Sequence, residues 1–142
     1  MNKFKAYVLA VILSFLGLVG SAPSWAFTYQ ETAEDLYESN YAQGLAWYYG
    51  HYGTRYNDAT YRYYSYYYTD YASNWAYEGY YDGPSGSYAE LYSYYAFYYL
   101  YYASLYRYYT YLGYDYSNDA ALYAYYGQYY TSLASVYAAY QI

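Results

Sequence analysis

The segment TYRYYSYYYTDYASNWA, residues 60–76, decides the fold, because it recurs as LYAYYGQYYTSLASVYA at residues 122–138. The two segments align without gaps and share nine of seventeen positions. Abundant tyrosine inflates that number, but four matches do not involve tyrosine: Thr69, Ala72, Ser73 and Ala76 pair with Thr131, Ala134, Ser135 and Ala138. A segment that recurs in this way indicates one structural unit present twice.

Large side chains in the second half of the chain repeat at alternating steps of four and three, the spacing of a helix with a heptad period. One such seam contains Leu91, Tyr95, Tyr98, Tyr102, Leu105, Tyr109 and Leu112, and the next contains Leu122, Tyr126, Tyr129, Leu133, Val136 and Tyr140. The sequence therefore predicts two helices here, each with a seam of tyrosine and aliphatic residues.

A second stripe, made of small residues, is shifted by two positions from each seam. It contains Ala120, Ala124, Gly127, Thr131, Ala134 and Ala138 in the last helix, Ala89, Ser93, Ala96, Ala103 and Thr110 in the one before, and Ser65, Thr69, Ala72 and Ala76 upstream. Two residues rotate a helix by about 200°. The small stripe thus lies nearly opposite the large seam, and each helix has two faces suited to contact.

Capping residues and glycines divide the chain into four predicted helices. The first begins at Thr28, with Glu31 at capping-box spacing, and ends near Gly50 and Gly53. The second begins at Asn57 or Asp58 and fades by Gly79; the third begins at the capping box of Ser87 and Glu90 and ends near Gly113; the fourth runs from Ser117 or Asn118 to the C-terminus. A linker of sequence Asp-Gly-Pro-Ser-Gly, residues 82–86, separates the two halves.

These patterns predict an all-α protein in which two related helical hairpins, about residues 28–80 and 87–141, form a single tyrosine-rich domain. The arrangement we expect is an up-down four-helix bundle or a short helical stack. The alternative is a low-complexity tract that is disordered or aggregates as β-structure, because tyrosine favours strands and the run Tyr66-Tyr67-Tyr68 suits a cross-β core.

The N-terminus is typical of a Sec signal peptide covering residues 1–26. Lys3 and Lys5 precede an apolar run, residues 6–19, and small residues lead to a cleavage site after Ala26. The apolar run is shorter than the roughly 20 residues that span a membrane, so no stable transmembrane anchor is expected after cleavage. We therefore expect export to the periplasm, the cell surface or the extracellular space.

Composition excludes several classes of function. Residues 27–142 contain three arginines and all eleven carboxylates, a formal charge of −8, which makes nucleic acid an improbable partner. There is no cysteine, and His51 is the single histidine, so neither a multi-histidine metal site nor a histidine-based triad elsewhere can form. The sequence predicts no catalytic residue, no cofactor and no metal, and thus a protein that is not an enzyme.

Tyrosine supplies the functional signal, because residues 27–142 contain 38 tyrosines and only twelve Leu, Ile, Val or Phe residues. A four-helix bundle has room inside for many large side chains, but not for this number. The surplus rings must meet solvent or another molecule, and large aromatic surfaces generally mark binding or assembly. The predicted assembly surface contains Tyr64, Tyr67, Tyr71, Trp75, Tyr95, Tyr98, Tyr102, Tyr109, Tyr126, Tyr129 and Tyr140.

Three functions are consistent with such a surface. The first is a secreted structural protein that self-associates through its tyrosine faces, so that its main partner is itself. The second is a binding module that stacks on glycans or other flat ligands, and the third is a redox or radical relay. Arg62 and Arg107 fall on small-residue stripes among tyrosines, where each could form a cation–π contact or an interface salt bridge with Asp70 or Glu78. Trp47 and Trp75 are predicted to be packing anchors.

Overall fold

The structure, a computed structural model, describes residues 24–142, with side chains from residue 28 onward. Its four helices are α1 (Ser24–Arg55), α2 (Ala59–Asp82), α3 (Tyr88–Tyr111) and α4 (Ser117–Tyr140). The predicted signal peptide lies almost entirely outside the described residues.

Each helix packs on the next along the chain, and α4 also packs on α1, which closes the bundle. Because short turns join the helices, sequential neighbours run in opposite directions. The structure confirms the predicted all-α four-helix bundle. Residues 24–142 contain no strand, so the disordered or β-aggregating alternative is wrong.

Two predicted helix starts are confirmed by their caps. The Asp58 carboxylate accepts hydrogen bonds from the amides of Thr60 and Tyr61, at 2.8 and 3.1 Å, and begins α2. The Ser87 hydroxyl accepts from the Glu90 amide at 3.0 Å and begins α3. The Glu90 carboxylate accepts in return from the amide of Gly86, which adopts a left-handed φ of 80°.

Two other predicted boundaries are wrong. The first helix starts at Ser24 rather than Thr28, whose carbonyl accepts a hydrogen bond from the Thr32 hydroxyl at 2.9 Å, as in a helix interior. The second helix continues through Gly79 to Asp82. Gly79 is buried inside this helix, and a Cβ built there would be in ordinary van der Waals contact with the Leu36 side chain at 3.4 Å, so this glycine belongs to the contact of α2 with α1 instead of ending a helix.

The interior of the bundle is made of small residues. The buried residues of α2, α3 and α4 are Ser65, Thr69, Ala72, Ser73, Ala76, Gly79, Ala89, Ser93, Ala96, Leu100, Ala103, Ser104, Ala120, Gly127, Thr131, Ala134 and Ala138. Large side chains in the described core are few, mainly Leu36 and Leu100 with Tyr29. The expectation that many large side chains fill the bundle is therefore wrong, because close helix approach leaves room only for small ones.

Buried hydroxyls join the helices to one another. Ser39 donates to the Ala72 carbonyl at 2.8 Å and Ser65 donates to the Ala46 carbonyl at 2.7 Å, and both bonds link α1 to α2. A buried hydroxyl without a partner destabilises a fold by about 1–3 kcal/mol, whereas a bonded one does not. Serine and threonine can therefore share the core with alanine at little loss of stability.

The two hairpins bury equivalent positions. Four buried residues of α2 lie in the recurring segment: Ser65, Thr69, Ala72 and Ala76. The residues of α4 that align with them are also buried, and these are Gly127, Thr131, Ala134 and Ala138. The recurring segment thus places the same stripe against the bundle axis in both halves.

Candidate functional site

The heptad seam of large residues faces outward. Leu91 is 40% exposed, and Leu122 and Val136 are each 50% exposed. Since the small stripe faces the axis and lies nearly opposite, the seam has no room inside. The outer surface of the bundle is consequently the tyrosine surface.

Nine of the eleven predicted assembly residues are exposed: Tyr64, Tyr67, Tyr71, Tyr95, Tyr98, Tyr109, Tyr126, Tyr129 and Tyr140. The other two, Trp75 and Tyr102, are half-buried. Trp47 is not the buried anchor that the sequence predicts, since it is 67% exposed and stacks on His51 with ring centroids 5.7 Å apart.

Rings from adjacent helices meet in the outer groove between α1 and α2. Tyr49 of α1 contacts Tyr61, Tyr64 and Tyr68 of α2, with centroid distances of 5.9, 5.3 and 5.6 Å. These distances lie within the range of favourable aromatic pairs. Tyrosine thus seals the groove above the small-residue core.

The groove between α2 and α3 is filled in the same way. Its ring pairs are Tyr63 with Tyr111, Tyr66 with Tyr108, Tyr77 with Phe97, and Tyr80 with Tyr94, at 5.4, 5.1, 5.2 and 5.4 Å. Aromatic rings therefore cover this groove as well.

The groove between α3 and α4 holds the most extensive ring cluster. Tyr99 lies nearly parallel to Tyr130 at 5.4 Å, and Tyr92 contacts both Tyr130 and Tyr137. Burial among neighbouring rings raises the pKa of the Tyr92 and Tyr130 phenols above the usual 10.0. These phenols are neutral at physiological pH.

The fourth groove, between α4 and α1, differs from the other three. Among residues 28–142 no ring pair joins these two helices, and two cavities of about 390 and 550 Å³ open there. Both cavities are lined by Trp47, Arg107 and Ala121. The larger also contacts the amide side chains of Asn40, Gln43 and Gln128.

The two predicted arginines lie at this groove. Arg107 donates a hydrogen bond to the Thr69 hydroxyl, and Arg62 donates to the Asn57 side chain and the Gly53 carbonyl at 3.0 and 3.3 Å. Within the described part of the chain, neither arginine forms a salt bridge or lies over a ring; the cation–π contact there is that of Arg55 over Tyr56, at 5.6 Å. Sequence spacing did not indicate that the arginines share a cavity, because they come from different helices.

No family model matches the chain, and comparisons with curated proteins and with solved structures found no match. In the described residues, no three His, Cys, Asp or Glu side chains come together as metal ligands. None of the helices from Ser24 onward combines the length and apolarity required to cross a membrane.

Proposed function

We propose that this protein is an exported structural component that self-associates through its tyrosine-rich helical faces into a filament, layer or matrix. The observation that supports this function is the inverted distribution of side chains. Small residues fill the bundle and exposed tyrosines cover it. Such an aromatic surface far exceeds the apolar patches that soluble monomers generally expose.

A second copy of the chain is the partner that suits this surface. A phenol presents a flat apolar ring and a hydroxyl that both donates and accepts, so two tyrosine faces can stack and hydrogen-bond to each other. Tyr67 and Tyr129 occupy aligned positions on the two hairpins and are 47% and 50% exposed. Each molecule therefore presents the same kind of face twice, as a repeating assembly requires.

Charge is consistent with association that depends on ionic strength. The described domain is acidic, and like charges on two copies repel one another at low salt. Tyrosine contacts are not weakened by salt in this way. The proposed association therefore strengthens as salt is added, in contrast to binding driven by opposite charges.

Sedimentation velocity over a wide concentration range tests this function. A face variant with Tyr67, Tyr98 and Tyr129 changed to Gln is compared with a turn variant in which Tyr56, Tyr81 and Tyr114 are changed to Gln. The turn tyrosines are at least as exposed, at 61%, 73% and 61%, but lie at helix ends and turns. We expect the wild type and the turn variant to associate at similar protein concentrations. The face variant should require at least about tenfold higher protein concentration to associate. A wild type that stays monomeric throughout overturns the proposal.

A further inference from the structure

The smaller cavity of the α4–α1 groove is lined by every basic side chain of residues 27–142. We call it the cationic cleft, and it is lined by Trp47, His51, Arg55, Arg62, Arg107 and Ser117, among others. Residues 27–142 contain no other arginine or lysine, and His51 is the single histidine of the chain. In a segment of charge −8, all the basic groups thus converge from three helices on one cavity.

No carboxylate lines this cavity or its larger neighbour. Arg107 has the Thr69 hydroxyl as its hydrogen-bond acceptor, whereas a guanidinium has five N–H donors. Burial lowers the pKa of Arg107 to about 10, which leaves the group charged at neutral pH. The Arg107 side chain is half-buried, and a cation that is partly removed from water normally has an anionic partner; the residues that line the two cavities supply none.

The first turn of α4 adds a second source of positive potential. Ser117 and Ala120 line the cleft, and Tyr116, at the N-cap position, provides no side-chain acceptor for the exposed amides. The first amides of a 24-residue helix favour an anion. Asp119 of the same turn does not line either cavity.

Comparison of the two repeats explains why the cleft is open. In the α2–α3 groove, Tyr66 contacts Tyr108 and Tyr63 contacts Tyr111. In the aligned segment, Gln128 replaces Tyr66. Upstream of it, Tyr48 and Gly53 lie sixty residues before Tyr108 and Gly113, and at the same spacing His51 corresponds to Tyr111. Gln128 and His51 both line the cavities of the α4–α1 groove. One ring of each pair is therefore replaced by a smaller polar group in the equivalent groove.

The neighbouring cavity provides a further polar group. Gln43 donates to the hydroxyls of Ser39 and Thr131 at 3.2 and 3.0 Å, but its buried carbonyl oxygen has no hydrogen-bond partner among the described residues. A buried acceptor of this kind is usually bonded to a ligand or to water. A ligand that extends from the cleft past Arg107 could donate a hydrogen bond to it.

We infer that the cationic cleft binds a small organic anion, a carboxylate or a phosphate monoester. Its anionic group pairs with Arg107 and the amides of α4, and its uncharged part packs against Trp47 and Ala121. A cavity of about 390 Å³ is within the range of small-molecule sites. This inference is independent of self-association, because the cleft lies in the groove where no ring pair joins residues 28–142 of α1 and α4.

Calorimetric titration of protein produced from the full-length sequence tests the inference. The probes are phenyl phosphate, benzoate and the neutral analogue benzyl alcohol, which share one ring and differ in charge. We expect saturable binding of at least one anion below about 10 mM and none of benzyl alcohol. Tighter binding of phenyl phosphate identifies the ligand class as a phosphate monoester, and tighter binding of benzoate identifies it as a carboxylate. Equal binding of the neutral probe, or no saturable binding of either anion, overturns the inference.

Two pairs of variants locate the bound anion. Arg107→Gln and Asn74→Asp each lower the net charge by one, but Asn74 is exposed and does not line a cavity. Ala121→Glu adds a carboxylate at an exposed position of the cleft wall, and Ala139→Glu adds one to the same helix outside both cavities. We expect at least about tenfold weaker binding in Arg107→Gln and Ala121→Glu, with the two controls within about twofold of wild type. If a variant and its control weaken binding equally, the loss is a global charge effect and the assigned site is wrong. If Arg107→Gln does not fold, the Ala121 and Ala139 variants provide the test.

Discussion

Gly127 and Leu100 set the distance between α3 and α4. A Cβ built on Gly127 would lie 2.5 Å from the Leu100 Cδ2 and 2.7 Å from its Cγ, far inside van der Waals contact. Leu100 is one of the few large buried side chains, so the glycine provides the space that it fills. A single hydrogen in place of a methyl group thus permits the close approach on which the small core depends.

Gly127→Ala should therefore destabilise the bundle by about 1–3 kcal/mol through overpacking, although alanine is the better helix former. Gly44→Ala is the matched control, because nothing lies within 4 Å of its Cβ position in the middle of α1. That control should stabilise the protein by about 0.5–1 kcal/mol. Urea denaturation followed by circular dichroism measures both, and a stabilised Gly127→Ala would contradict the close contact.

The phenols of Tyr92, Tyr106 and Tyr130 should make stability depend on alkaline pH. Burial raises the pKa of each above its usual 10.0, with neighbouring tyrosines adding to the effect. The folded state thus favours the protonated phenol, so this contribution is complete below pH 10 and is lost as pH rises through the higher folded pKa. Tyrosinate absorbance and far-UV circular dichroism should change together above pH 10. Full ionisation at the ordinary pKa with unchanged helicity would contradict the buried clusters.

Within each helix, most of the buried side chains are small and most of the large side chains are at least partly exposed. Ala96 of α3 is fully buried, while Tyr98, two residues later, is 43% exposed. Two residues correspond to about 200° of rotation, so the two side chains point in nearly opposite directions. Helices with this pattern approach closely through alanine and serine and present tyrosine outward.

Substitutions at these two positions test which face is the core. Ala96→Leu should destabilise the protein by about 1–3 kcal/mol, because three more carbons must enter a closely packed contact. Tyr98→Leu, which adds the same side chain on the outer face, should change stability by less than about 1 kcal/mol. Thermal unfolding of both variants provides the comparison. A larger loss from Tyr98→Leu would place the seam inside the bundle.

The helices themselves could be predicted from sequence because their signals are local. Asp58 and Ser87 cap the helices that they were expected to cap, and Gly113 follows α3 with a left-handed φ of 102°. The start of α1 was mispredicted because the Thr28 and Glu31 spacing is also compatible with a helix interior. Gly79 does not end α2, and the sequence alone does not reveal that Leu36 packs against it within the helix.

Which face is buried could not be decided from periodicity. The large seam and the small stripe share one heptad spacing, so each is an equally good candidate for the core. Which face is buried depends on tertiary packing. Alanine and serine allow close contact between helices, and tyrosine can cover a groove while its hydroxyl reaches water. The cationic cleft was missed for a related reason, since Arg62 and Arg107 belong to different repeats and meet only in the folded bundle.

For the whole molecule, the repeats are alike in the core and differ in the grooves. Both place the same small stripe at the axis. The α2–α3 groove is covered by ring pairs, whereas the equivalent α4–α1 groove holds the two cavities. The bundle therefore separates two properties. Tyrosine covers the faces proposed for assembly, and the basic residues of the segment 27–142 line the groove where no ring pair joins residues 28–142 of α1 and α4.

Residue-resolved hydroxyl-radical footprinting by mass spectrometry tests most directly the central claim that the outward tyrosines form the assembly surface. In dilute protein, the exposed Tyr67, Tyr98 and Tyr129 should react readily and the buried Tyr29 should not. On concentration to the associated state, the three face tyrosines should lose reactivity several-fold, while Tyr81 and Tyr114 at the turns keep theirs. Unchanged reactivity of the face tyrosines in an associated sample, or a reactive Tyr29 in the dilute one, would contradict the account.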